Sequence, residues 1–154
     1  MQRYVIRDKG FSSTDGFVIL DQTDRELYRA DGKSWTLSRE FMLKSAEGAE
    51  LLHMKQKLFS MVPTYTITRA GSPCATIKKA GARYSIDVPG LHPIQIERSK
   101  AGMEYTFKRD DRPIANVARK LVSLTENATI DIETSEDAEL ILASMVAIYD
   151  MKKH

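Results

Sequence analysis

The chain has 154 residues, with 23 Lys and Arg against 21 Asp and Glu and a formal net charge of +2. This length fits one domain that can bury a core without disulfides or metals, and the charge is too small to argue alone for nucleic acid or an anionic membrane. Cys74 is the single cysteine, which excludes an intramolecular disulfide and a cysteine-based zinc site. Residues 1–8 contain no apolar stretch typical of a signal peptide, so we expect a cytoplasmic protein.

Short β-type segments fill the chain as far as Glu133. They are rich in aromatic and β-branched residues, and turn sequences such as Asp15-Gly16 and Asp31-Gly32 separate them. The predicted strands cover residues 4–6, 17–20, 27–30, 35–38, 41–43, 51–57, 65–68, 75–78, 84–88, 94–97, 105–108, 114–117 and 129–133. This pattern predicts about a dozen strands between residues 3 and 133.

Part of this strand region is duplicated. Seven residues between Tyr65 and Lys79 recur at a constant offset, as Tyr105, Phe107, Arg109, Pro113, Ala115, Val117 and Arg119. The constant offset through the turn predicts a repeated strand–turn–strand unit. Residues 57–61 are echoed by residues 120–124, and residues 33–37 form a looser third copy.

The last segment predicts a helix over residues 135–151. Thr134 and Ser135 are suitable N-caps, and Thr134 with Asp137 has the capping-box spacing. Within residues 140–149 the only clearly polar residue is Ser144, so the helix has no polar stripe and must be enclosed on all sides. Ten residues span only about 15 Å, too short for a bilayer, so we expect protein to enclose them.

These features together predict a mainly β fold: a closed antiparallel barrel of about twelve strands around a buried hydrophobic C-terminal helix. A sandwich with the helix packed outside is the alternative, but it should leave a polar stripe on the helix. We expect residues 1–154 to form a single domain.

A family resemblance supports this fold. The sequence Lys55-Gln56-Lys57-Leu58-Phe59-Ser60-Met61-Val62-Pro63-Thr64-Tyr65-Thr66-Ile67 resembles the central motif of the LURP-one-related family. Residues 75–79 and the apolar terminal helix resemble it too, so the likeness runs from Tyr4 onward. It implies a tubby C-terminal-like barrel, a fold shared with phospholipid scramblases, and a role in binding anionic lipid headgroups. Residues 125–133 lack the closely spaced Asp ligands of the scramblase calcium segment, so scramblase activity is not implied.

Six basic residues are the candidate ligand-binding set, because they occupy equivalent places at the ends of returning strands. They are Lys55, Lys57, Lys78, Lys79, Arg119 and Lys120. If those ends meet at one rim, their charges can hold a phosphorylated headgroup. The alternative is that they solvate the outside of the barrel and discourage strand pairing.

Catalysis and metal binding have weak support in the sequence. His53, His92 and His154 lack helical metal-site spacing, and the acidic residues in 131–139 lack the pattern of an EF-hand loop. Cys74 has no activating motif and predicts a small core or turn residue. A hydrolase would need a carboxylate within hydrogen-bond reach of His53 or His92. We therefore expect no catalytic residues, no metal and no cofactor.

The sequence thus favours a non-enzymatic binding domain for anionic phospholipid headgroups or phosphorylated ligands at a basic rim. The alternative is a protein-interaction or adaptor domain without a small-molecule site. We expect a monomer that is cytoplasmic or peripheral at the membrane, and no nucleic-acid partner, because Tyr105 and Phe107 alternate with Lys108 as core residues do. A concave basic patch favours the first function, and an exposed apolar patch of several hundred Å² favours the second.

Overall fold

The computed structural model describes residues 1–8, 16–33, 38–99, 104–122 and 125–153. In chain order its elements are β1 Gln2–Asp8, β2 Gly16–Leu20, β3 Glu26–Lys33, β4 Glu40–Ser45, β5 Glu50–Gln56, β6 Thr64–Arg69, β7 Ser72–Ala80, β8 Arg83–Asp87, β9 Ile94–Arg98, β10 Glu104–Arg109, β11 Arg112–Val122, β12 Thr125–Ile132 and α1 Ala138–Lys153.

The twelve strands form one closed antiparallel barrel. Each strand pairs with its neighbours in sequence, and β12 pairs with β1 to close the circle. We call the end where β5 stops at Gln56 and β6 starts at Thr64 the upper rim, and the opposite end, where β6 stops at Arg69, the lower rim. Closure leaves no unpaired sheet edge among the twelve described strands, which confirms the predicted barrel.

The helix α1 lies inside this barrel. Every residue from 140 to 150 is at most 7 % exposed, so this part of the helix has no face toward solvent. The inward residues of the strands pack around it, and the ring of Phe17 in β2 stacks on Tyr149 with centroids 6.1 Å apart. Since α1 follows β12, it enters at the lower rim and ends at the upper rim. The run without a polar stripe is therefore explained by burial on all sides.

The start of α1 differs from the prediction. The helix begins at Ala138 rather than at residue 135, and its N-cap is Asp137 rather than Thr134 or Ser135. The Asp137 carboxylate accepts a hydrogen bond from the Leu140 backbone N–H at 3.2 Å. Thr134 and Ser135 instead lie in the turn that brings the chain from β12 into the barrel, so they are unavailable as caps.

The duplicated segments form two hairpins of the same construction, β6–β7 and β10–β11. Both have a register shift at the equivalent place, after Ile67 and after Phe107. Both turn through consecutive residues with positive φ: Ala70 and Gly71 in the first, Asp110 and Asp111 in the second.

Each hairpin also supplies an arginine to the segment where α1 begins. Arg69 Nη2 lies 3.0 Å from Asp137 Oδ2, and Arg109 Nη1 lies 2.6 Å from Glu136 Oε1. The repeat therefore places two cations where the chain enters the barrel.

Two sequence predictions are wrong, and a third falls mostly on residues that the structure does not describe. Asp31-Gly32 is not a turn, because β3 continues through it and pairs Asp31 with Met42. Residues 57–61 form the connection between β5 and β6, whereas residues 120–122 continue β11, so this echo is not a structural repeat. Of the predicted strand 35–38, residues 35–37 lie outside the described residues.

Candidate anion-binding site

The six predicted basic residues all belong to strand ends at the upper rim, but they divide into two sectors. Four lie at the end of β5 or in β7, which are separated only by β6. Arg119 and Lys120 lie in β11, and β8, β9 and β10 separate that strand from β7. The six residues therefore lie at the same rim of the barrel but in two separate sectors of it.

Lys55, Lys57 and Lys78 form what we call the outer lysine group. All three are exposed, and Lys55 and Lys78 alternate with the buried Met54 and Ile77. This alternation places Lys55 and Lys78 on the outer wall of the barrel. Their ligand-binding role remains a prediction.

The register brings the outer lysine group together around Thr64. The Lys57 backbone N–H donates to the Thr64 carbonyl at 2.8 Å on one side, and Lys78 pairs with Thr64 on the other. Lys57 and Lys78 therefore stand two strand spacings apart, about 10 Å between their backbones. Extended lysine side chains can converge across that distance on one anion.

A cavity lies beside this group. It has a volume of about 390 Å³ and is lined by Lys55, Gln56, Lys57, Leu58 and Thr66. Its ammonium, amide and hydroxyl groups are all hydrogen-bond donors suited to phosphate oxygens. Glu40 is an acidic neighbour, with Oε1 3.8 Å from Lys55 Nζ, and it partly offsets the charge there.

The remaining basic residues point elsewhere or are not described. Arg119 lies over the Tyr149 ring at 5.6 Å from its centroid, so it faces α1 inside the barrel. Lys79 is half-buried, and its backbone N–H donates to the Pro63 carbonyl at 3.0 Å. The backbone of Lys120 pairs with Asn127, but its side chain lies outside the described residues. Their part in ligand binding also remains a prediction.

The connection between β5 and β6 carries a feature that the sequence reasoning missed. We call residues 58–63 the apolar loop. Phe59 and Met61 are each 102 % exposed, and Leu58 and Val62 are 46 % and 38 % exposed. The signal in the sequence is an apolar run that breaks strand alternation and ends at Pro63.

Hydrogen bonds fix the base of the apolar loop. The Thr64 side chain is buried, and its Oγ1 donates to the Val62 carbonyl at 2.8 Å. Ser60 Oγ and Thr64 Oγ1 are also hydrogen-bonded, at 2.9 Å. The loop therefore folds over the outer face at Thr64, between Lys57 and Lys78, and presents Phe59 and Met61 to solvent.

Beneath the upper rim, Asp150 of α1 is buried in a polar network that the sequence reasoning also missed. Its carboxylate accepts hydrogen bonds from the Arg39 guanidinium and from the Tyr65 hydroxyl. Burial, followed by the hydrogen bond to Asp150, raises the pKa of Tyr65 well above its ordinary value, so its hydroxyl stays protonated. The network anchors the end of the helix.

Two histidines have the carboxylate neighbours that a hydrolase would need. His53 Nε2 lies 3.1 Å from Glu40 Oε2 beside a cavity of about 210 Å³, and His92 Nδ1 lies 2.7 Å from Asp110 Oδ1.

Burial raises the pKa of the Cys74 thiol, which disfavours the nucleophilic thiolate. Among the described residues, no cluster of His, Cys, Asp and Glu is arranged to hold a metal ion.

The closed twelve-stranded barrel around a buried helix defines a tubby-like barrel protein. The chain belongs to the LURP-one-related family, whose sequence model matches residues 2–150. The uncharacterised protein YxjI of Bacillus subtilis (strain 168) is 25% identical over 148 residues, covering 95% of this chain and 90% of YxjI. An X-ray structure of an Arabidopsis thaliana protein matches with a TM-score of 0.73 at 15% identity, covering 99% of this chain and 93% of the other. In the described part of the chain, no helix has both the length and the apolar character to cross a bilayer.

Proposed function

We propose that this protein is a non-enzymatic binding domain for phosphate-bearing anions. The site is the outer lysine group, and the ligand is an anionic phospholipid headgroup or a soluble phosphorylated molecule. One observation carries the proposal: Lys55, Lys57 and Lys78 stand exposed on either side of β6, beside a cavity of about 390 Å³ that Lys55 and Lys57 help to line. Lysine binds phosphate as a point charge, so no fixed bidentate geometry is required.

The charge distribution supports binding at this end of the barrel. The connections of the lower rim carry many acidic side chains, among them Asp21, Asp24, Glu47, Asp110 and Asp111. An anion or an anionic surface is therefore repelled by these carboxylates and attracted to the outer lysine group. The inner leaflet of the plasma membrane is such a surface, and we propose that the protein acts there as a cytoplasmic, peripheral monomer.

A protein-interaction function is the second candidate, and the apolar loop is the observation that favours it. Fully exposed Phe59 and Met61 are the kind of side chains that anchor protein interfaces. The lysines on both sides of this loop favour an anionic partner in either case.

The proposal is tested by titrating the protein with inositol hexakisphosphate and measuring affinity by calorimetry. The test variant is Lys55→Ala/Lys57→Ala/Lys78→Ala. The matched control is Arg25→Ala/Lys44→Ala/Arg112→Ala, which removes the same number of charges at the lower rim. Losing about 1 kcal/mol per lysine weakens binding about 100-fold in the test variant, while the control retains its affinity. An equal loss in both variants would show that affinity follows net charge and would overturn the site.

A further inference from the structure

We infer that the apolar loop, residues 58–63, inserts into the interface of an anionic bilayer while the outer lysine group holds the lipid headgroups. This inference rests on the proposed function and names its ligand as a membrane surface. The observation behind it is the position of Phe59 and Met61, each 102 % exposed at the upper rim.

The conformation of the loop keeps these side chains in solvent. Phe59 has φ +59°, which lies in the left-handed region. This region is open to glycine but energetically costly for a residue with a bulky side chain. The buried Thr64 pins the loop through Val62 and Ser60. Phe59 and Met61 are held outward by specific hydrogen bonds at the loop base despite this strain, which suits a binding surface and adds nothing to the core.

The basic residues around Phe59 and Met61, the tip of the apolar loop, favour a lipid bilayer as its binding partner. Lys57 precedes the loop directly, Lys55 lies two residues earlier on the same strand, and Lys78 flanks Thr64 on the far side. A lipid interface combines an anionic headgroup layer above with an apolar layer below. Basic residues around an apolar tip match both layers at once, and membrane association is stable when two such signals combine.

The first experiment measures vesicle binding of Phe59→Ser/Met61→Ser against the wild type. The vesicles contain phosphatidylcholine with phosphatidylserine, and Leu91→Ser is the matched control because Leu91 is an exposed apolar residue at the lower rim. Removing the inserted side chains weakens vesicle binding at least about tenfold, whereas Leu91→Ser binds as the wild type does. The loop variant keeps its affinity for inositol hexakisphosphate, since its lysines are unchanged.

The second experiment reports insertion directly. Met61→Cys in a Cys74→Ser background is labelled with an environment-sensitive fluorophore, and Leu91→Cys in the same background is the control. On vesicles, the label at residue 61 shifts to shorter wavelength and is quenched by brominated lipid, while the label at residue 91 does neither.

The outcomes separate the two proposals. An unshifted label at residue 61 on vesicle-bound protein, with lysine-dependent binding intact, would overturn insertion and leave headgroup binding standing; the loop would then belong to a protein partner. Binding of inositol hexakisphosphate without any vesicle binding would also overturn insertion alone. Failure to bind either probe would overturn both.

Discussion

Arg39 and Asp150 form a charge pair that joins the wall of the barrel to the end of the helix inside it. Arg39 Nε and Nη2 donate to Asp150 Oδ1 at 2.9 Å and 2.7 Å, and the Asp150 side chain is only 3% exposed. A carboxylate near the C-terminal end of a helix opposes the helix dipole and is costly when buried. The arginine compensates for both costs, so the pair anchors the C-terminal part of α1 to the segment just before β4.

This pair predicts strong coupling between its members. Asp150→Ala leaves the partly buried Arg39 without its carboxylate, and we expect a loss of about 3–5 kcal/mol in the free energy of unfolding. Arg39→Met/Asp150→Leu removes both charges and should cost clearly less than the sum of the two single changes. Urea unfolding measures the loss in Asp150→Ala, and the wild type, Arg39→Met, Asp150→Leu and the double variant together give the coupling energy. If the double variant loses as much unfolding free energy as the two single variants together, the two residues are not coupled and the pair does not anchor the helix.

The internal position of α1 predicts the effect of a buried charge. Val146 is 0% exposed, so Val146→Asp places a carboxylate in the core without a partner, and we expect the barrel to unfold. Ile141→Asp should do the same. Ile141→Val is the control and should cost only about 0.5–1.5 kcal/mol. A Val146→Asp protein that unfolds cooperatively with near-normal stability would contradict the internal helix.

Buried tyrosines predict a loss of stability in alkali. Burial raises the pKa of Tyr65 and of Tyr84, so above pH 10 both ionise less in the folded protein than in the unfolded chain. Their contribution is complete below pH 10 and is lost as pH rises, by at most about 1.4 kcal/mol per pH unit for each tyrosine. Tyr84→Phe should make the measured slope shallower. An unchanged slope would mean that Tyr84 titrates equally in both states.

The equivalent turns of the two hairpins predict that exchanging glycine and aspartate has opposite effects on stability in the two turns. Gly71 and Asp111 occupy the same position at φ +81° and φ +63°, and a Cβ on Gly71 would meet nothing within 4 Å. Gly71→Asp therefore costs only backbone strain, about 1 kcal/mol, and Asp111→Gly relieves a similar strain. Thermal unfolding should place the first variant below the wild type and the second above it. The reverse order would show that side-chain contacts, rather than φ, decide these turns.

The fold could be predicted from the sequence because few folds can bury the helix on all sides and one face of every strand at the same time. Residues 140–149 offer no polar face, and the alternating strands each need one buried face, so a barrel around a helix satisfies both. The helix start could not be placed, because Thr134, Ser135 and Asp137 are all good caps. The course of the chain between β12 and α1 determines which of these three residues caps the helix.

The site was predicted less completely for a similar reason. Lys78 and Lys79 are adjacent in sequence, but strand alternation sends them to opposite sides of the wall, so a cluster of charges in sequence is not a cluster in space. The exposure of Phe59 depends on β5 stopping at Gln56. That boundary follows from the register with β6, which composition does not encode.

The most direct test of the account is co-sedimentation of the protein with vesicles. Neutral phosphatidylcholine vesicles are compared with vesicles carrying phosphatidylserine or phosphoinositides, at low and at physiological salt. We predict binding to the anionic vesicles only, weakened by salt and lost in Lys55→Ala/Lys57→Ala/Lys78→Ala but not in Arg25→Ala/Lys44→Ala/Arg112→Ala. Anionic-vesicle binding that survives in the outer-lysine variant would contradict the account.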